Sequence, residues 1–160
     1  MIFKKVFNLL KKKKITISFA ESITGGLLSS VITKFPASSS IFEFGFVVYS
    51  INAKKQILSI SDEFFKKYSV YSKECVIEMN NKLLLKTKSN VCVSVSGIAG
   101  PSVGEDNLGT DLKIGNVYYD IFYNNKHYTF QKLFKGSRGS IRKKTVKSIY
   151  KSIYLLVSGD

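Results

Sequence analysis

"ITISFAESITGGLLSSVI", residues 15–32, changes its hydrophobic period half-way along. Ile15, Ile17 and Phe19 alternate as residues of a strand do, whereas Leu27, Leu28, Val31 and Ile32 recur at helical spacing until Pro36 stops the run. Between the two patterns lies "AESITGG" (20–26), with a carboxylate, two hydroxyls and a glycine pair in seven positions. Glycines let a chain turn tightly and let a bound group approach the main chain. The stretch predicts a strand feeding through a tight turn into a helix, and it sets the expectation of an α/β fold.

The flanking sequence repeats that alternation. Phe3, Val6, Phe7 and Leu10 have helical spacing, and the lysines of 11–14 fall in that helix's last turn, where cations suit the dipole. "IFEFGFVVYS" (41–50) reads as a second strand, followed by helices over 52–58, 62–68 and 72–87, with Ser61 and Ser72 as N-caps. "VCVSVS" (91–96) is a third strand. After a loop from Gly97 to Gly115, "NVYYDIFY" and "HYTFQKLF" flank "NNK" as a hairpin, and a helix over 140–157 closes the chain. Strands separated by helices imply a largely parallel sheet covered on both faces, which the hairpin makes mixed.

The 160 residues, 44% hydrophobic, suffice for one domain with a real core, taken to span 1–160. No apolar run is long enough to cross a bilayer, and "MIFKKVFNLLKKKK" resembles neither an anchor nor a good signal peptide. Cys75 and Cys92, the only cysteines, lie in apolar periodic segments and read as buried free thiols of a reducing, cytoplasmic compartment. The charge of +14 is nearly all lysine. Only Arg138 and Arg142 offer bidentate phosphate contacts, and no basic motif with interleaved aromatics appears, so the charge reads as solvated faces rather than a nucleic-acid surface.

Open α/β sheets bind ligands at the carboxyl ends of their strands. Three such ends are rich in polar residues and glycine: Glu21 to Gly26; Tyr49, Ser50, Asn52 and Lys54; and "SGIAGP" (96–101). A helix starting near Thr24 would aim free N–H groups at a phosphate or an oxyanion beside Ser22. Equally, Ser22 or Thr24 is only an N-cap and the glycines only a turn. Lys54, if desolvated, can serve a hydroxyl nucleophile as general base, with Tyr49 relaying a proton; otherwise it is a surface lysine beside Lys55. His127 reads as a strand residue rather than a base, and no cluster has metal-ligand spacing, so metal-independent chemistry is expected.

Taken in order and spacing, "AESITGG", "FEFGFVVYSINAK" and "VSGIAGP" resemble the C-terminal domain of the competence/damage-inducible CinA proteins, whose stand-alone form is nicotinamide-nucleotide amidohydrolase. "GSRGSIRKKTV" (136–146) resembles that family's arginine-bearing start of the closing helix, and "YSKECVIEM" its preceding long helix. The resemblance implies a three-layer α/β/α sandwich with a mixed, mostly parallel sheet, in a single amidohydrolase domain that forms a homodimer. It implies deamidation of nicotinamide mononucleotide to nicotinate mononucleotide and ammonia, with no cofactor. Ser22 falls on the nucleophile, Thr24 on the second hydroxyl, Lys54 on the catalytic lysine and Tyr49 on the accompanying tyrosine. Glu21, Gly25 and Gly26, with Ser96, Gly97, Ile98, Ala99 and Gly100, match the loops about the substrate, and Arg138 and Arg142 match arginines that could meet its phosphate.

The chain departs from the family pattern at Ile23, where a cysteine is usual, at Ala37, where a glycine is common, and in the loop after Pro101. Two rival readings stand beside the amidase: a catalytically silent, nucleotide-binding relative, and a basic nucleic-acid-binding module.

Overall fold

The computed structural model describes residues 1–102 and 113–159. Helix α1 (Ile2–Lys13) leads into strand β1 (Ile17–Glu21), helix α2 (Leu27–Ile32) and strand β2 (Phe42–Val47). Helices α3 (Ile51–Leu58), α4 (Asp62–Lys67) and α5 (Lys73–Thr87) then precede strand β3 (Val91–Gly97). Strands β4 (Asn116–Tyr123) and β5 (Lys126–Leu133) form the hairpin, and α6 (Arg138–Ser158) ends the chain. Local chemistry explains the boundaries. The Ser61 and Ser72 hydroxyls accept from the Phe64 and Cys75 amides at 3.2 and 3.1 Å, as N-caps do. The hairpin turns on Asn124 and Asn125, whose φ values of 49° and 58° suit the primed turns that match strand twist.

The five strands are ordered β2-β1-β3-β4-β5, with β2, β1 and β3 parallel and the hairpin antiparallel to them. The three glycine-rich and polar strand ends therefore lie side by side. The sheet is the middle layer of an α/β/α sandwich. On one face Phe19, Val93 and Tyr119 pack with Val6 and Leu10 of α1, Leu28 of α2 and Ile149 and Ile153 of α6. On the other, Ala20 and Cys92 pack with Leu58 of α3 and with Cys75, Met79 and Leu83 of α5.

The alternation of β3 differs from its usual meaning. Ser94 and Ser96 are as buried as the neighbouring Val93 and Val95. Their hydroxyls donate to the Val76 and Val70 carbonyls at 2.5 and 2.6 Å, which satisfies them without water. Three boundaries also shift. β1 continues to Glu21, so Ser22 leaves directly from the strand; β2 ends at Val47 rather than residue 50; and α6 starts at Arg138, two residues earlier than the pattern predicts.

Ala37 has a φ of 62°, a left-handed conformation that accounts for glycine being common there. Both cysteines are buried thiols outside any disulfide, and burial pushes the Cys92 thiol up to about 11. No helix among the described residues is long and apolar enough to cross a membrane. Val103 and Gly104, part of the altered loop after Pro101, lie outside the described residues.

Candidate active site

Ser22 is the first residue after β1, and its amide stays tied to the sheet by donating to the Val95 carbonyl at 3.1 Å. Its side chain meets Lys54, which the first turns of α3 bring under the same strand end. The Lys54 amine lies 3.2 Å from the Ser22 hydroxyl, 2.8 Å from the Val48 carbonyl and 3.4 Å from the Tyr49 carbonyl. Lys54 is only 2% exposed, and among the described residues no carboxylate pairs with it. Burial lowers its pKa below the ordinary 10.5, with Cys75 opposing the shift. The sequence left Lys54 open between base and surface lysine; the structure buries it.

The remainder of "AESITGG" builds the turn. Glu21 is fully buried, and its carboxylate accepts from the Thr24 hydroxyl at 2.7 Å, from the Gly26 and Leu28 amides at 3.0 Å, and from the Ser29 amide and hydroxyl at 2.9 and 2.7 Å. This corrects the expectation that the start of α2 offers free N–H groups to a ligand. The first turn of α2 is occupied by a side chain one residue from Ser22, and neither Ser22 nor Thr24 is its N-cap; Gly26 is. Thr24 is fully buried with its hydroxyl committed, so only Ser22 of the two hydroxyls reaches the lysine. Gly25 and Gly26, with φ values of 54° and 92°, shape the turn. None of Glu21, Thr24, Gly25 and Gly26 lines the cleft onto which Ser22 opens.

That cleft, of about 510 Å³, is lined by Ser22 and Lys54 together with Tyr49 and all five predicted residues of the third strand end, Ser96 to Gly100. Gly97 is required by close packing, since a Cβ there would meet the Asn116 carbonyl oxygen at 2.7 Å. The Ser96 hydroxyl turns into the wall. The two arginines separate. Arg138 stands at the mouth, donating to the Gly100 carbonyl at 2.8 Å and to the Tyr49 hydroxyl at 2.5 Å. Arg142, one turn further along α6, does not line the cleft; it donates to the Ile23 and Thr24 carbonyls at 3.0 and 2.8 Å. Tyr49 is held by Arg138 at the rim and has its backbone carbonyl, not its hydroxyl, towards Lys54. His127 is a residue of β5, with Nδ1 2.7 Å from the buried Asp120 carboxylate, and has no place in the cleft.

Sequence reading missed Ile51, Val70, Tyr71 and Ser102. Val70 and Tyr71 come from the α4–α5 connection, which carries no periodic signal. Its only trace in the sequence is a tyrosine just ahead of the Ser72 cap.

Residues 1–156 match the family model for the CinA C-terminal domain. The chain belongs to that family. A CinA-like protein of Thermotoga sp. (strain RQ2) is 39% identical over 154 residues, which are 96% of this CinA-family chain and 36% of that protein. A putative competence-damage inducible protein of Clostridium botulinum (strain Loch Maree / Type A3) is 38% identical over 141 residues, 88% of this chain and 34% of its own length. The chain thus spans about a third of these curated relatives. Among solved structures, the competence-damaged protein (CinA) superfamily protein from Enterobacter cloacae superposes with a TM-score of 0.88 at 28% identity, covering 98% of this chain and 90% of that one. The competence damage-inducible protein A from Klebsiella pneumoniae gives 0.90 at 25% identity, covering 98% and 95%.

Proposed function

We propose that this CinA domain hydrolyses a carboxamide, and that its substrate is nicotinamide mononucleotide, converted to nicotinate mononucleotide and ammonia. The observation that carries the reading is the 3.2 Å contact between a buried, carboxylate-free lysine and a serine hydroxyl opening on a cleft. A neutral amine that donates to the Val48 and Tyr49 carbonyls has used its two N–H groups. Its lone pair then faces Ser22, the arrangement a general base needs.

In the proposed reaction Ser22 Oγ bonds to the carboxamide carbon as Lys54 takes its proton. The C–N bond breaks, and the proton returns from Lys54 to the departing ammonia. Water then adds across the ester, releasing the carboxylate and restoring the Ser22 hydroxyl. With the amides of α2 occupied, the oxyanion donors fall to the first turn of α3. Ile51 and Asn52 line the cleft there, and their N–H groups precede the first intrahelical bond, from the Lys54 amide to the Ser50 carbonyl.

The lining also suits a nucleotide. It holds Lys54 and Arg138 and, among the described residues, no Asp or Glu. Arg138 uses two of its five N–H groups on Gly100 and Tyr49, leaving donors for a phosphate. Tyr49 and Tyr71 offer aromatic surface to a pyridine ring. The test is ammonia release from nicotinamide mononucleotide by the purified chain, beside Ser22→Ala and Lys54→Ala, with free nicotinamide as control. Release by wild type and its loss in both variants is the expected result. A folded wild type that releases no ammonia rejects the proposal.

A further inference from the structure

We infer that Arg142 and Glu21 are positioning residues that grip the Ser22 turn from opposite sides, and that Arg142 acts on the reaction through this turn rather than by meeting the substrate. The inference rests on Ser22 being the nucleophile. The turn between β1 and α2 carries two consecutive left-handed glycines and is closed by bonds from the Gly25 amide to the Ser22 carbonyl at 3.0 Å and from the Leu27 amide to the Thr24 carbonyl at 3.2 Å. The Leu27 amide, which a regular helical turn would send to the Ile23 carbonyl, goes to Thr24 instead, and the Ile23 carbonyl is taken by Arg142.

Two side chains hold it. From the α2 side, the Glu21 carboxylate takes the Thr24 hydroxyl and the first amides of the helix. From the α6 side, the Arg142 guanidinium uses one edge, Nε and Nη2, to bind two successive carbonyls, Ile23 and Thr24. Thr24 is therefore held at both ends, by its hydroxyl and by its carbonyl. Gly25 makes room for this: a Cβ there would lie 3.0 Å from Arg142 Nη2. The forked geometry is particular to arginine, because a lysine presents a point charge and cannot span two carbonyls in a plane. Both flanking groups of the nucleophile are thus anchored, while Ser22 itself is left with a single side-chain partner, Lys54.

A clamp on the turn affects the chemical step, since a shift of about 1 Å in a reacting group costs on the order of a hundredfold in rate. The test compares wild type with Arg142→Lys and Arg142→Ala in two assays, with thermal melts confirming that each is folded. The first assay is steady-state ammonia release. The second is the rate at which a small alkyl fluorophosphonate modifies Ser22, a reaction in which the serine oxygen bonds to phosphorus, fluoride leaves and the proton passes to Lys54. The probe carries neither pyridine nor nucleotide phosphate, so it reads the nucleophile alone.

A clamp predicts that Arg142→Lys lowers kcat about ten- to a hundredfold with KM within about twofold, that probe modification slows in parallel, and that added guanidinium partly restores Arg142→Ala. Wild-type probe modification in Arg142→Lys with a raised KM would overturn the inference and return Arg142 to the substrate. If wild type accepts the probe but releases no ammonia, the substrate proposal fails and the clamp is still decided by the probe rates. A wild type inert to both removes the nucleophile, and the inference with it.

Discussion

Two neighbouring parallel strands, β1 and β2, each run into a helix at the same end of the sheet, and the two junctions handle a buried charge in opposite ways. At the β1–α2 junction the charge is Glu21, saturated by five donors from the residues that follow it. At the β2–α3 junction it is Lys54, held by two main-chain carbonyls and a hydroxyl, with no carboxylate beside it among the described residues. Burial alone therefore does not mark a reactive group. A buried charge whose partners are all internal fixes a turn, whereas one whose remaining partner is a hydroxyl at a cleft can move a proton.

The largest effect that would break this contrast is on catalysis. Lys54→Arg fixes a permanent cation at this position and removes any accessible neutral form, so turnover should fall by about a thousandfold or more while the chain still folds. Retained activity would show that Lys54 is no more a base than Glu21 is. Next comes the closed junction. Glu21→Ala strands five buried or half-buried donors and should cost about 3–5 kcal/mol in denaturant unfolding, against little change if the carboxylate is not the anchor of α2.

Thr24→Val sharpens the distinction between the two hydroxyls. Loss of one charge-assisted bond should cost about 1–2 kcal/mol, with turnover kept within a few-fold. An inactive, fully stable Thr24→Val would transfer the nucleophile role from Ser22. Smaller still, Ser50→Ala removes the α3 cap made to the Ala53 amide at 3.0 Å. It should cost about 1 kcal/mol, or about 2–4 °C in Tm for a chain of this size.

Most of the fold could be read from period and turn chemistry. The strand-to-helix switch in 15–32, the asparagine hairpin and the caps Ser61 and Ser72 depend on neighbours in sequence, and all are in place. The pairing of Ser22 with Lys54 could only be guessed at, because it depends on β2 lying beside β1. Roles within "AESITGG" were least legible. Sequence shows that a carboxylate, a threonine and glycines stand near a turn, but not which side of it they face, and Glu21, Thr24, Gly25 and Gly26 all proved to face α2 or form the bend. Likewise the four-residue step from Arg138 to Arg142 puts one guanidinium at the cleft mouth and the other behind the turn.

The proposed role of Lys54 requires an amine that gives up its proton more easily than a solvated lysine does. Its folded pKa lies below 10.5, so between that value and 10.5 the unfolded chain holds the extra proton and stability rises with pH. Lys54→Met should therefore be more stable than wild type at neutral pH, with the gap narrowing as the pH approaches 10.5. The most direct measurement is an NMR titration of protein labelled with carbon-13 at the lysine ε-carbons, the Lys54 signal being the one absent from Lys54→Arg. A Lys54 signal that titrates below 10.5 is the expected result. A Lys54 signal that titrates at or above 10.5 would contradict the proposed base.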